Sequence, residues 1–329
     1  MIVSTVERPA EVIKPIRVFN AAVGAVRQLT PHFRRITVVG PELDLFGTNA
    51  EGHTLDLRIK VMIPVPGHPL PDFGAVEGAL DDGWYPAWLA MDPDTRGYMR
   101  TYTVREFRPG VPAMDGRAAV SAELDLDFVL HLDGGSGPAA LWASEAQVGD
   151  PMVLIGPDAR SGDCLGIEFD PGAANRVLLA GDETAVPAIA GILATLPAHV
   201  TGHAVLEVPS AADFLDLPTE SDVEVRWLAR SGASVGGPAG HGELMSGEVR
   251  KIIAPSACSR GEEPDDVDVD DVILWETPLM EPGEGFYAWI AGEAAAVREL
   301  RRYLVRDVGV DRNAVAFMGY WRLGKAQPS

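Results

Sequence analysis

Cysteine is scarce. The 329 residues contain two, Cys164 and Cys258, too few for a disulfide framework, and neither has a partner at metal-ligand spacing. Both are expected to be reduced. The seven histidines are scattered, and the one close pair, His199 and His203, follows Pro197 and is broken by Gly202, which argues against an i, i+4 zinc pair on a helix. No metal ligand set is expected. Long apolar runs are missing too: the longest, Ala185 to Ala194, is about half of the roughly 20 residues a bilayer span needs, and it contains Pro187 and Gly191. No membrane segment is expected. Positive charge is in deficit, with 27 Lys and Arg against 48 Asp and Glu and a formal charge of −21. Such a field repels nucleic acid and anionic lipid, so a phosphate-bearing ligand needs a local basic cluster, and each well-placed arginine becomes informative. Near the start, Glu7, Arg8, Glu11 and Lys14 stand where a signal peptide needs an apolar core, so the cytoplasm is the expected compartment.

What is present is enough apolar material, 47% of the chain, for two domains with separate cores. Residues 1–15 have no pattern and read as a flexible tail. From Ile16 onward IRVFNAAVGAV, FRRITVVG and TLDLRIKVMIP are short β-branched runs separated by turn residues, the signature of a small antiparallel barrel. Pro64 to Gly83 is a Pro/Gly-rich loop of unusual length, either functional or mobile. WYPAWLAMD reads as a short helix with its Trp and Leu residues on the core. It leads into MRTYTVREF, a strand in which Arg100 and Tyr102 share a face and suit a phosphate and a flat ring. Thr103 points the other way, unless a bulge or its backbone amide brings it to the same ligand. Leu124 to Leu132 alternates as a further strand. DGGSGPAALWASEAQ follows, a glycine-rich turn and a helix with Ser136 or Gly137 as N-cap and Pro138 at the first helical position, a start suited to pyrophosphate. VGDPMVLIGP closes the first domain, 16–160.

Between 161 and 329 the period changes. RVLLAGDETAVPAIAGILATLP reads as a buried strand (Val177 to Ala180), a loop and a helix; GHAVLEV and DVEVRWLAR supply strands; FYAWIAGEAAAVRELRRYL repeats strand, loop and helix, with Glu293 at the loop; NAVAFMGYW is the last strand. This alternation predicts a doubly wound parallel sheet with ligands at the strands' carboxyl ends, at GDET, EVPS, AGE and GYW. An acidic insertion, 258–271, is expected to be solvated and poorly ordered.

In this order and spacing, RTYTVR, HLDGGSGPAALWA, VLLAGDETAVPAIAGIL, WIAGEAAAVRELRRYL and GYWRLGK resemble the siderophore-interacting protein family, a branch of the ferredoxin-NADP reductase superfamily. The resemblance implies a six-stranded FAD-binding β-barrel followed by an α/β parallel-sheet domain that presents NADPH or NADH. The implied activity is ferric-siderophore reduction, from NAD(P)H through FAD to Fe(III), by a cytoplasmic monomer with a small-molecule substrate and no nucleic-acid or membrane partner. Two alternatives stay open: a flavin reductase serving ferredoxin, flavodoxin or a quinone, and a siderophore carrier without turnover.

Carried over by position, the resemblance places Arg100 on the FAD phosphates, Tyr102 on the isoalloxazine, Thr103 at its N5 edge and Val104 beside them. His131, Asp133, Gly137, Pro138, Ala139 and Trp142 match the second FAD-binding stretch, while Asp182, Glu183 and Thr184 face flavin and nicotinamide. Thr103 and Thr184 are the implied catalytic pair. Glu293 belongs to the nicotinamide loop, and Trp321 would shield the flavin. Glu207 suits a ribose diol, whereas Ser210, Arg226 and Arg230 suit a 2′-phosphate; Arg230, in the family-like WLAR stretch, tips the reading towards NADPH. Lys60, Arg322 and Lys325 are the expected basic contacts to an anionic siderophore. Departures from the pattern are one extra residue in HLDGGSGPAALWA, Leu132 for glycine, and Ala-Leu for Ser-Arg, which leaves two alternatives open: weaker FAD binding, or compensation by Arg160 or Arg105.

Overall fold

The computed structural model describes residues 13–114, 117–130, 137–232, 237–255, 274–278 and 285–325. Six antiparallel strands close a barrel in the order β1-β2-β5-β4-β3-β6. They are β1 (Ile16–Gln28), β2 (Phe33–Val39), β3 (Arg58–Ile63), β4 (Tyr98–Arg108), β5 (Glu123–Val129) and β6 (Pro151–Pro157). Inward-pointing Phe19, Ile36, Ile59, Val61, Leu124, Leu126 and Leu154 fill it, all nearly inaccessible. Alternation along each strand does this, because every second side chain points to the same face.

Helix α1 (Trp84–Ala90) covers an outer wall. Trp88 is buried against Met62 and Met99 as expected, but Leu89 is 41% exposed. A helix of seven residues has one core-facing stripe, and Trp84 and Trp88, four apart, occupy it. The long loop before α1 is tied down by Val18 N donating to the Gly78 carbonyl at 2.9 Å and by burial of Leu80.

The second domain is a six-stranded sheet ordered β10-β12-β11-β7-β8-β9, with β7 (Ala174–Asp182), β8 (Thr201–Val208), β9 (Asp222–Ala229), β10 (Trp275–Glu276), β11 (Gly285–Glu293) and β12 (Val315–Trp321). All pairs are parallel except β10 with β12. Helix α3 (Val186–Leu193) packs on the face towards the barrel, in one core with Phe33. Helices α4 (Glu243–Ile252) and α5 (Ala294–Arg302) cover the other face.

Three features depart from the sequence reading. No α-helix joins β8 to β9; a 3-10 turn at Ala211–Asp213 does. Helix α4 and the antiparallel edge strand β10 had no legible signal. Strand β5 ends at Val129, and β7 runs beyond Val177–Ala180 at both ends, where hydrogen-bonded neighbours extend the strand past its apolar run.

Polar pins join the domains. Asp56, fully buried, accepts from Trp289 Nε1 at 2.9 Å and from the amides of Glu168 and Phe169. Asp213 accepts from Thr30 Oγ1 at 2.8 Å and from the amide and ring of His32. Gly191 lets α3 approach the barrel, since a Cβ there would stand 2.4 Å from the Leu55 carbonyl oxygen. No helix among the described residues is long and apolar enough to cross a membrane. The tail to residue 12, all of 258–271, His131, Asp133 and Ser136 lie outside the described residues.

Candidate active site

Strand β4 has two differently used faces. Its register with β3 sets Arg100 opposite Val61 and Tyr102 opposite Ile59, so both share the face of the barrel's apolar lining. Arg100 Nη1 donates to the Met99 carbonyl at 2.8 Å, and no carboxylate among the described residues pairs with this half-buried guanidinium. Burial lowers its pKa. The Tyr102 ring centroid lies 4.3 Å from that of Phe128, which is 5.8 Å from that of Trp142. Thr103 is buried on the opposite face. The bulge comes one step later, between Val104 and Glu106. Val104 packs inside the barrel, and its amide donates to the Leu57 carbonyl at 2.8 Å.

Trp142 belongs to α2 (Pro138–Glu145), which begins on Gly137 with Pro138 in its first turn and has no side-chain cap. The early amides of this helix, at Ala139 and Ala140, therefore remain available to an anion. An uncountered arginine, an uncapped helix start and an aromatic run fit a flat ring system carrying a pyrophosphate, which is the chemistry of FAD. Of the two compensating arginines, Arg160 is clamped on Asp158 at 2.7 and 2.9 Å. Arg105 is half-buried on β4, its pKa lowered by burial against the opposing pull of Asp127.

At the sheet's carboxyl end, Asp182 organises the GDET and AGE loops. Its Oδ1 accepts from Thr184 N and Oγ1 at 2.9 and 2.5 Å, and its Oδ2 from Glu293 N at 2.8 Å and Trp321 Nε1 at 2.7 Å. Burial, and then the neighbouring Glu183, push its carboxyl up to about 7. Gly292, at φ 149°, is required here, because a Cβ would lie 2.7 Å from Asp182 Oδ2. Glu293 caps α5 by accepting from the amides of Ala295 and Ala296 at 2.7 and 3.1 Å. Trp321 is thus fastened at the carboxyl end of the sheet, edge to face with His241 at 5.0 Å.

The four groups read for coenzyme choice are all engaged within the fold. Arg230 makes two 2.7 Å bonds to Glu183 and one of 3.3 Å to Glu207. Burial opposes its charge, and the Glu183 contacts outweigh that, so its pKa is raised. Glu207, fully buried, accepts the amides of Gly242 and Met245 at 2.7 and 2.9 Å and so ties α4 to β8. Ser210 donates to Asp213 at 2.8 Å in a capping box. Arg226 bridges Glu224 and Glu248.

Lys60 lies on the outer face of β3, its ammonium donating to Thr101 Oγ1 at 2.8 Å. Burial of its stem, reinforced by Arg58, lowers its pKa. No carboxylate among the described residues pairs with it. Arg322 and Lys325 form a short bridge just beyond β12, beside Leu323, whose amide donates to Glu293 at 3.2 Å; Lys60 belongs to the other domain.

Sequence reasoning missed His241 and Ser246. They line a cleft of about 400 Å³ between the starts of α4 and α5, with Glu293 on its wall. Ser246 is 5% exposed, and neither its Oγ nor His241 Nδ1 has a hydrogen-bond partner among the described residues. Their only signal was a Gly-His-Gly turn before an amphipathic run, which does not specify what the side chains meet.

Two family models match the chain: a siderophore-interacting FAD-binding domain over residues 22–161 and a siderophore-interacting protein over residues 174–324. An uncharacterized protein of Mycobacterium tuberculosis is 31% identical, covering 95% of this chain and 93% of that protein. The ferric vibriobactin reductase ViuB of Vibrio cholerae is 27% identical over 94% of this chain and 92% of its own. The crystal structure of a siderophore utilization protein from T. fusca superposes with a TM-score of 0.63 at 26% identity, covering 96% of this chain and 97% of that one.

Proposed function

The chain belongs to the siderophore-interacting protein family, and on that premise we propose that it is a cytoplasmic, monomeric, FAD-dependent oxidoreductase that takes electrons from a reduced nicotinamide coenzyme and delivers them to the Fe(III) of a bound siderophore. The observation that carries this reading is Arg100, a half-buried arginine with no carboxylate partner among the described residues, on the strand face of Tyr102, whose ring begins the run through Phe128 to Trp142 of α2. In a chain of charge −21, an arginine left without a counter-ion is suited to an anionic ligand. ViuB, named a ferric vibriobactin reductase, supports the choice of acceptor.

Arg100 and the amides of Ala139 and Ala140 would hold the pyrophosphate of FAD, and Tyr102 with Trp142 would flank its rings. Bound FAD would supply the redox chemistry, accepting two electrons as hydride and passing them on singly. Thr103 is buried on the opposite face of β4, turned away from Arg100 and Tyr102. The Asp182 carboxyl fastens the GDET loop, the start of α5 and Trp321 into one rigid wall, which orients the nicotinamide side and excludes water. Lys60 would draw in a substrate carrying negative charge. Fe(III) binds hard oxygen ligands far better than Fe(II) does, so reduction loosens the metal and no protein ligand to iron is needed.

An anaerobic titration tests the proposal: flavin absorbance near 450 nm is followed with a reduced nicotinamide, then with ferric siderophores and an Fe(II) trap. Bleaching followed by reoxidation and trapped Fe(II) is expected. Bound flavin that no nicotinamide reduces, or a protein that cannot be loaded with FAD, would overturn it.

A further inference from the structure

The proposed function leaves the coenzyme's adenosine end open, and the inference here rests on that reading. In a doubly wound sheet, ligands enter where successive connections leave in opposite directions. Here that point lies between β7 and β11, since β8 and β9 continue to one side and β12 to the other. Glu293, the last residue of β11, lines the cleft between α4 and α5, so the cleft opens from this crossing point.

Its chemistry suits an uncharged polar group. Two neutral hydrogen-bonding side chains face it without partners among the described residues, Ser246 Oγ and His241 Nδ1. Burial, with Arg230 nearby, lowers the His241 pKa, which keeps the ring neutral at pH 7. A buried Ser246 hydroxyl left unpaired is unfavourable, and a ligand hydroxyl or ring nitrogen would relieve it. Its floor is small and apolar, from Gly242, Gly247, Ala295 and Ala296. The lining carries three carboxylates, Glu243, Glu293 and Glu299, and one arginine. That arginine, Arg250, already bonds Glu299 at 2.8 Å and lies 4.1 Å over the Tyr303 ring.

A 2′-phosphate adds about two negative charges and needs cations free to meet it. At the carboxyl ends of β8 and β9 the three candidates are committed: Ser210 to Asp213, Arg226 to Glu224 and Glu248, and Arg230 to Glu183 and Glu207. Releasing Arg230 would strand two buried carboxylates, a far larger penalty than one phosphate contact returns. We infer that this cleft takes the uncharged nucleoside of the coenzyme and disfavours a 2′-phosphate, so that the electron donor is NADH rather than NADPH. The sequence alone favoured NADPH through Arg230, and it is the fold that removes that arginine from the site.

The test uses calorimetry on the full chain loaded with FAD, with 5′-AMP and 2′,5′-ADP as probes that differ only in the 2′-phosphate. AMP is expected to bind at least tenfold more tightly, NADH to bind correspondingly better than NADPH, and Ser246→Ala to weaken AMP by about threefold to tenfold. Equal or tighter binding of 2′,5′-ADP, with lost selectivity in Arg250→Ala, would overturn the inference while leaving the proposed function intact. If Ser246→Ala and His241→Ala both bind AMP as wild type does, the cleft is not the nucleoside site. If neither probe and neither coenzyme binds, both the inference and the nicotinamide donor of the proposed function fall.

Discussion

Arg100→Ala separates a binding role from a structural one. Of the five N–H groups on the guanidinium, one is engaged by the Met99 carbonyl, and no ion pair depends on the rest. Removing the side chain gives up that bond and the cation–π contact with the Tyr98 ring, 5.7 Å away, so apoprotein stability should fall by no more than about 1–2 kcal/mol. FAD affinity should fall by roughly 1.5 to 3 kcal/mol, the worth of a hydrogen bond to a charged group, or roughly 10- to 150-fold in Kd. Arg100→Lys keeps the charge and loses the planar fork, so an intermediate loss of about threefold to tenfold is expected. Flavin affinity is read by fluorescence titration of the apoprotein with FAD, and apoprotein stability by urea denaturation. Unchanged FAD affinity in Arg100→Ala would refute the assignment. A large loss of apoprotein stability would refute the premise that the guanidinium is uncommitted.

Other substitutions probe the second domain and the substrate side. Arg230→Met leaves Glu183 and Glu207 buried without their counter-ion and should cost about 3–5 kcal/mol in urea denaturation; a loss below about 1 kcal/mol would mean that the carboxylates are protonated or hydrated. Gly292→Ala forces a Cβ against Asp182 in a backbone region that disfavours side chains, and should lower stability by roughly 1–3 kcal/mol with weaker coenzyme binding. Because the folded-state pKa of Asp182 lies near 7 and the unfolded one near 4, the folded form holds the proton more tightly, and stability should fall as pH rises between those values. Relative to Asp182→Asn, wild type should lose up to about 1.4 kcal/mol per pH unit across that window, then level off; parallel curves would place the carboxyl's pKa at its ordinary value. Lys60→Ala should weaken an anionic ferric siderophore, measured by quenching of protein fluorescence, while flavin reduction by nicotinamide stays unchanged. Wild-type affinity in that variant would remove Lys60 from the substrate site.

Local pattern determined most of the architecture. Period-two alternation around Phe19, Ile36, Ile59 and Leu126 marks barrel strands whichever neighbours they find, because one face must leave water. The buried run before GDET and the amphipathic run after Glu293 mark a strand and a helix for the same reason. Gly137-Pro138 announced the start of α2, since both residues favour that position through their own backbone geometry. Even the two faces of the arginine strand followed from alternation, with Arg100 and Tyr102 together and Thr103 turned away.

What no local pattern contains is the partner of each polar side chain. Arg230 has the same sequence neighbours whether it meets a phosphate or Glu183, and only the folding of the chain, which brings residues 47 positions apart to 2.7 Å, decided between them. Glu207 anchors α4 through the Gly242 and Met245 amides, and Ser210 bonds Asp213 in a cap, partners that no stretch of sequence around either residue announces. Helix α4 and its cleft were hidden for a related reason. A helix of ten residues is stabilised mainly by the face it buries, and Met245 and Val249 have a face to bury only once β8 and α5 stand beside them.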